Sequence, residues 1–146
     1  MRGSFDSIQA YFNGKIIRKS ELQPNKPHMF GFHPHGVTAT SVSWVSHTSD
    51  WKELFPGITV NPATASVLHV LPLLRDFLQV MGFRDVTRTS LCNALDMDES
   101  ILLVPGGQAE MVYSTSRRKE LTIYTKHKGF IRLAVTKGVP LVPVLR

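Results

Sequence analysis

An α/β fold, with a mixed sheet flanked by helices, is predicted for this chain by two observations. Short apolar runs of strand character alternate with segments of helical period. Two of those runs open into turn-forming loops, "HPHG" at 33–36 and "PGGQAE" at 105–110, which is where α/β sheets gather ligands. The 146 residues, 42% hydrophobic and 19% charged, suit one globular domain with a substantial core.

Residues 1–27 are polar and close on "QPNKP", so they read as a connector ahead of a core domain at 28–146. "HMFGFH" (28–33) is a short buried strand, broken by Pro34 and Gly36. "VTATSVSWVSH" (37–47) is assigned to a helix and "WKELFPG" (51–57) to a loop. "ITVNPA" (58–63) gives the second strand. "ASVLHVLPLLRDFLQVMG" (65–82) is an apolar helix, kinked or divided by Pro72 and ended by Gly82. Its apolar residues Val67, Leu68, Leu71, Leu74, Leu78 and Met81 recur every three or four positions, which favours a core-facing stripe over a lipid-facing one. "FRDV" (83–86) gives a third strand, and "TSLCNALD" (89–96) a short helix capped by Thr89 or Ser90. "SILLVPGG" (100–107) is the clearest strand-and-turn signal, "HKGFIRLAVTKG" (127–138) an amphipathic helix stopped by Gly138, and "VPLVPVL" (139–145) a last apolar strand.

Charge is unevenly spread. Residues 1–114 hold nine Lys/Arg against ten Asp/Glu, whereas 115–146 hold eight against Glu120 alone. Such a basic face suits phosphorylated molecules or anionic lipid surfaces, or is simply solvated. Nucleic acid is not expected as a partner, because no recognition motif accompanies the charge. Cys92 is the only cysteine, so no internal disulfide forms. No apolar run reaches the ~18 residues of a spanning helix, and the first twelve residues lack a signal core.

His33 and His35 flank Pro34 and precede Gly36. Three roles fit: a structural turn, a metal clip, or a general base held on a stiff loop. No metal is expected, since neither a His-x-x-x-His nor a Cys-x-x-Cys spacing supplies further ligands. A serine hydrolase lacks its Gly-x-Ser-x-Gly elbow here, and the glycine pair lacks the Lys-Ser/Thr of a phosphate loop. Gly106 and Gly107 suggest backbone N–H groups for a developing oxyanion or a phosphate, and Glu110 a carboxylate that orients an imidazole or bonds a substrate hydroxyl. A plain glycine turn followed by a surface glutamate is the alternative.

Taken in order, "FGFHPHG" (30–36), "PLLRDF" (72–77), "VPGGQAE" (104–110) and "KGFIRLAVTKGVPLVPV" (128–144) resemble the type 2 diacylglycerol acyltransferase family, which includes monoacylglycerol and wax-alcohol acyltransferases. "AYF" (10–12) and "FPGI" (55–58) fit the same alignment, so the likeness runs from about Tyr11 to Val144. It implies a glycerolipid-acyltransferase-like fold. The implied activity moves a fatty acyl group from acyl-CoA to a lipid hydroxyl, diacylglycerol first, at the endoplasmic reticulum membrane or the lipid-droplet surface. Acyl-CoA is then a co-substrate, no cofactor is implied, and the membrane surface is a partner. His35, His33 and Glu110 become the implied catalytic residues, and Pro34, Gly36, Arg75, Gly106, Gly107 and Lys128 the substrate-binding ones. His35 is preferred as base because it lies beyond the proline. The related glycerol-phosphate acyltransferases carry an aspartate five positions after their histidine. Thr38 and Thr40 stand there in this chain, so the carboxylate partner is expected to be Glu110, or failing that Asp76. The family also carries a membrane hairpin before this core and further motifs behind it, which predicts a core incomplete at its C-terminus. A truncated, non-catalytic lipid-surface or regulatory module is the alternative reading.

Overall fold

Alternation along "MFGFH" turns Met29 to one face of a strand and Phe30 and Phe32 to the other. Both sets are buried, so this strand lies inside a sheet covered on two sides. The computed structural model, which describes residues 2–36, 39–113 and 123–145, bears this out. Strands β1 (Met29–His33), β2 (Val60–Thr64), β3 (Arg84–Asp85), β4 (Ser100–Leu103) and β5 (Leu141–Leu145) form one sheet in the order β3-β2-β4-β1-β5. All pairings are parallel, so the α/β class stands while the expected mixed sheet becomes a parallel one. The connections explain it: every link between successive strands carries helical turns, and parallel neighbours need such crossovers.

The helices are α1 (Arg2–Tyr11), α2 (Ser49–Leu54), α3 (Leu74–Val80), α4 (Arg88–Asp96), α5 (Gly107–Tyr113) and α6 (Gly129–Lys137). Met29, Ile101 and Leu103 pack against Leu91 and Leu95 of α4 and Leu133 of α6. On the opposite face Phe30, Phe32 and Leu102 pack against Val42, Trp51 and Ile58. Helix α6 ends where Gly138 takes a left-handed φ of 64°.

Four local expectations change. The opening stretch contains α1, whose Asp6 carboxylate accepts hydrogen bonds from the Ser49 N–H and hydroxyl, both at 2.8 Å. Residues 37 and 38 lie outside the described residues. The rest of the expected 37–47 helix is two 3-10 turns, Thr40–Ser43 and Val45–His47, in a serine-rich run where the Ser43 hydroxyl bonds back to the Thr40 carbonyl. The expected 51–57 loop is helical through Leu54, because the Thr48 hydroxyl caps it by accepting the Trp51 N–H, which anchors the buried Trp51 ring. Helix α4 starts earlier than expected, after Thr87.

The segment 65–82 departs furthest. Pro72 divides it into a 3-10 turn at Ser66–His69 and the short α3. The expected core stripe is corrected: Val67 is 63% exposed and Leu71 50%, joined by Val70, Leu73, Phe77 and Val80 at 60–83%. Leu78 alone of α3 is buried. Once the helix is broken, the three-and-four spacing no longer projects one continuous face onto the sheet.

A buried imidazole, His28, and a half-buried one, His47, set an acid limit on stability. Burial holds His28 and His47 below their ordinary value of 6.5, with nearby Lys52 adding to the effect at His47. Their unfolded forms titrate near the ordinary value, so the stabilisation is complete above about pH 6.5. It declines as pH falls from there through the lower folded values, because the unfolded chain binds the extra protons. The thermal midpoint is expected to fall between pH 7.5 and 5.5, with a shallower slope in His28→Phe. Equal midpoints at both pH values would contradict this.

Candidate active site

The site follows from parallel pairing. Strand β1 ends at His33 and strand β4 at Leu103, and Gly31 is in register with Leu103. Neighbouring parallel strands carry their following loops to the same sheet end, so residues 34–36 and 104–107 meet although about seventy positions separate them. A Cβ on Gly31 would touch the Pro105 ring at 3.6 Å.

Glu110, in the first turn of α5, is completely buried between these loops. Its Oε1 accepts from His33 Nδ1 at 3.1 Å and from the Tyr124 backbone N–H at 3.1 Å. Its Oε2 accepts from the His35 backbone N–H at 2.7 Å. One carboxylate thus ties together three stretches of chain. Because it only accepts, His33 presents Nδ1–H to it and keeps its lone pair on Nε2. The His35 ring reaches the same tautomer by another route, with Nδ1–H donating to the Gly36 carbonyl at 2.9 Å. The His33–Pro34 peptide is cis, and Gly36 has a φ of 66°, a region that favours glycine.

The two glycines differ in what they do. A Cβ on Gly106 would collide with the Glu110 carboxyl, so this position is the space in which the carboxylate sits. Gly107 has open space around it but a φ of 51°. Its N–H donates to the Val104 carbonyl at 3.1 Å, so the expected second oxyanion donor is already committed to the turn.

The structure therefore gathers His33, Pro34, His35, Gly36, Gly106, Gly107 and Glu110. Arg75 and Lys128 are placed differently. Arg75 is exposed and bonds to its neighbour Asp76 at 3.2 Å, which also occupies the second-choice carboxylate. Lys128 is exposed at the start of α6. Beside it, His127 donates from Nδ1 to the Pro105 carbonyl at 3.0 Å and stacks edge-on with Tyr124 at 4.8 Å. Sequence reasoning missed both Tyr124 and His127. Tyr124 contributes a backbone N–H that no residue type advertises, whereas His127 lies directly before the Lys-Gly-Phe element and was there to be weighed. The basic residues Arg117, Arg118, Lys119 and Arg146 lie outside the described residues. Among the described residues, no helix is long and apolar enough to cross a membrane, and no three His, Cys, Asp or Glu side chains converge as a metal set.

Two imidazoles at the carboxyl end of a parallel sheet, His33 held by its ring and His35 by its backbone N–H to one buried carboxylate, define an α/β protein with a polar site where such sheets gather ligands. The chain belongs to the diacylglycerol acyltransferase family, whose sequence model, described as Diacylglycerol acyltransferase, matches residues 4–146. It is 32% identical to the human 2-acylglycerol O-acyltransferase 3 over 98% of its own length and 43% of that protein. It is 33% identical to the Saccharomyces cerevisiae Diacylglycerol O-acyltransferase 1, over 94% of this chain and 34% of the relative. With the Dictyostelium discoideum Diacylglycerol O-acyltransferase 2 it shares 35% identity, over 92% and 42%. The chain thus spans less than half the length of these relatives. No solved structure matches it.

Proposed function

We propose that this chain supplies the reacting core of an O-acyltransferase that moves a fatty acyl group from acyl-CoA to a lipid hydroxyl, with diacylglycerol as acceptor and triacylglycerol as product. One observation carries the reading: the loops bearing His33–Gly36 and Gly106–Glu110 close around a single buried carboxylate, and both imidazoles make their hydrogen bonds among the described residues through Nδ1. The names of the relatives support an acylglycerol acceptor. The exposed apolar residues of 67–80 support work at a membrane surface, of the endoplasmic reticulum or a lipid droplet.

In this mechanism His35 Nε2 removes the proton from the acceptor hydroxyl as its oxygen attacks the thioester carbon. The C–O bond forms, the carbonyl π electrons move to oxygen, and their return breaks the C–S bond. The CoA sulfur leaves as a thiolate, whose conjugate thiol has a pKa near ~8.5, and takes the proton back from the imidazolium. So good a leaving group makes one base sufficient. His35 is assigned this role because it borders the apolar cavity beside Gly107. A second reading makes His33 the base, since the Glu110 carboxylate meets its ring and not that of His35. In that reading Glu110 stabilises the imidazolium as it forms.

The direct test supplies microsomes containing the complete natural protein with labelled oleoyl-CoA and, separately, diacylglycerol, monoacylglycerol or a long-chain alcohol. Labelled triacylglycerol above a no-enzyme control is the expected result. Transfer to another acceptor alone would move the assignment within the family, and no transfer to any of them would reject it.

A further inference from the structure

Two apolar cavities flank the sheet end. One, of about 520 Å³, lies beneath residues 9–17 against Phe32, Trp44 and Val144, and touches none of the residues that surround Glu110. The other, of about 610 Å³, runs from His35 and Gly107 past Val42 and Ala63 to Leu68, Phe77 and Met81. Both sizes fall in the ~300–1,000 Å³ range of small-molecule sites. Only the second joins the imidazole to another feature, the exposed apolar patch. Leu68 and Phe77, which line its far end, belong to the same segment as Val67, Val70, Leu71, Leu73 and Val80, all at least half exposed. So many exposed apolar side chains within one short segment are unusual on a soluble surface and point to an interaction site. The polar side of the site lies elsewhere: exposed Lys126 and Lys128 flank His127, which is fastened to the Pro105 carbonyl.

From this arrangement we propose that the cavity between His35 and Phe77 holds the alkyl chain of the acyl donor, which enters sideways through the apolar patch formed by residues 67–80. The proposal rests on the acyltransferase reading and deepens it by naming the substrate part and the residues that measure it. A donor chain fits better than an acceptor chain because the cavity opens beside the assigned base, where the thioester carbon must lie. In addition, cations suited to the donor's phosphates flank His127, which is bonded to the Pro105 carbonyl between the cavity-lining Val104 and Gly107. Leu68, half buried at the bend before Pro72, is then a gauge of chain length. A larger side chain there shortens the space available, and a smaller one lengthens it.

The test uses the complete protein in membranes and palmitoyl-CoA carrying a diazirine near the end of its chain. Photolabelling is expected in the peptides spanning 63–83, and equally in His35→Ala, where turnover is lost but the cavity remains. That arm separates the inference from the mechanism: labelling without turnover upholds the cavity even if the base is misassigned. Leu68→Trp is expected to lower the use of palmitoyl-CoA relative to octanoyl-CoA about tenfold, as pocket-filling substitutions do. Leu68→Ala should shift the preference the other way, and a thermal midpoint near wild type shows that both variants are folded. Label in the peptide containing Ile16 and Ile17, which line only the other cavity, would overturn the proposal. So would label at 63–83 from a diazirine-bearing diacylglycerol but not from the acyl-CoA, or an unchanged chain-length ratio in both folded Leu68 variants.

Discussion

In the complete protein, His35→Ala is expected to lower acyl transfer by about 10²–10⁴-fold, the range typical of a lost general base. The fold should survive, because the backbone N–H of residue 35, not its ring, binds Glu110. The ring's described hydrogen bond is to the adjacent Gly36 carbonyl, so its removal leaves the carboxylate's three contacts intact. His33→Ala behaves differently. It removes one of the Glu110 donors and leaves a buried carboxylate under-satisfied, which costs about 1–3 kcal/mol or more. Its activity loss should therefore come with a lower thermal midpoint, while that of His35→Ala should not. Full activity in His35→Ala together with a folded but inactive His33→Ala would transfer the role of base to His33.

Gly106→Ala is the second large effect. The added methyl has no place to go, because the Glu110 carboxyl already occupies the position a Cβ would take. Either the start of α5 shifts or Glu110 leaves its pocket. The second outcome frees the His35 and Tyr124 N–H groups from their partner, at about 1–3 kcal/mol for each donor that stays buried. Activity should fall at least as far as in His35→Ala, accompanied by a clear loss of thermal stability. Gly107→Ala, one position along, meets open space and carries only the left-handed backbone cost of roughly 1–2 kcal/mol. Comparing the two by thermal melts and product formation tests whether the glycine pair makes room for a carboxylate or presents donors to a substrate. Similar behaviour in both would count against the packing account.

Strands β1, β4 and β5 were readable because each is a short apolar run next to turn residues, whereas β3 is only the charged pair Arg84–Asp85. The two faces of "MFGFH" follow from its alternation. The helix at 49–54 was legible in principle from Thr48 and Asp50, but the following Pro56 and Gly57 drew the segment toward a loop. The 65–82 stretch misled for a different reason. Its spacing is helical throughout, yet a single proline resets the phase, and a pattern cannot say which side of a broken helix faces the sheet. The site divided in a similar way. His33, His35 and Glu110 stood out by residue type and loop position, whereas the contribution of Tyr124 is a main-chain donor.

Read alone, the amino-acid order was enough for the α/β class, for the two loops that matter, and for the family, because all three depend on local composition and on motifs in sequence. It could not say that Glu110 grips the His33 ring but only the backbone of His35. Nor could it say that Gly106 exists to admit a carboxylate, or that Val67, Val70, Leu71, Leu73, Phe77 and Val80 face outward. Those facts depend on how parallel strands bring distant loops to one end of a sheet. Hydrogen-bond partners there are selected by three-dimensional distance, which one-dimensional spacing does not encode.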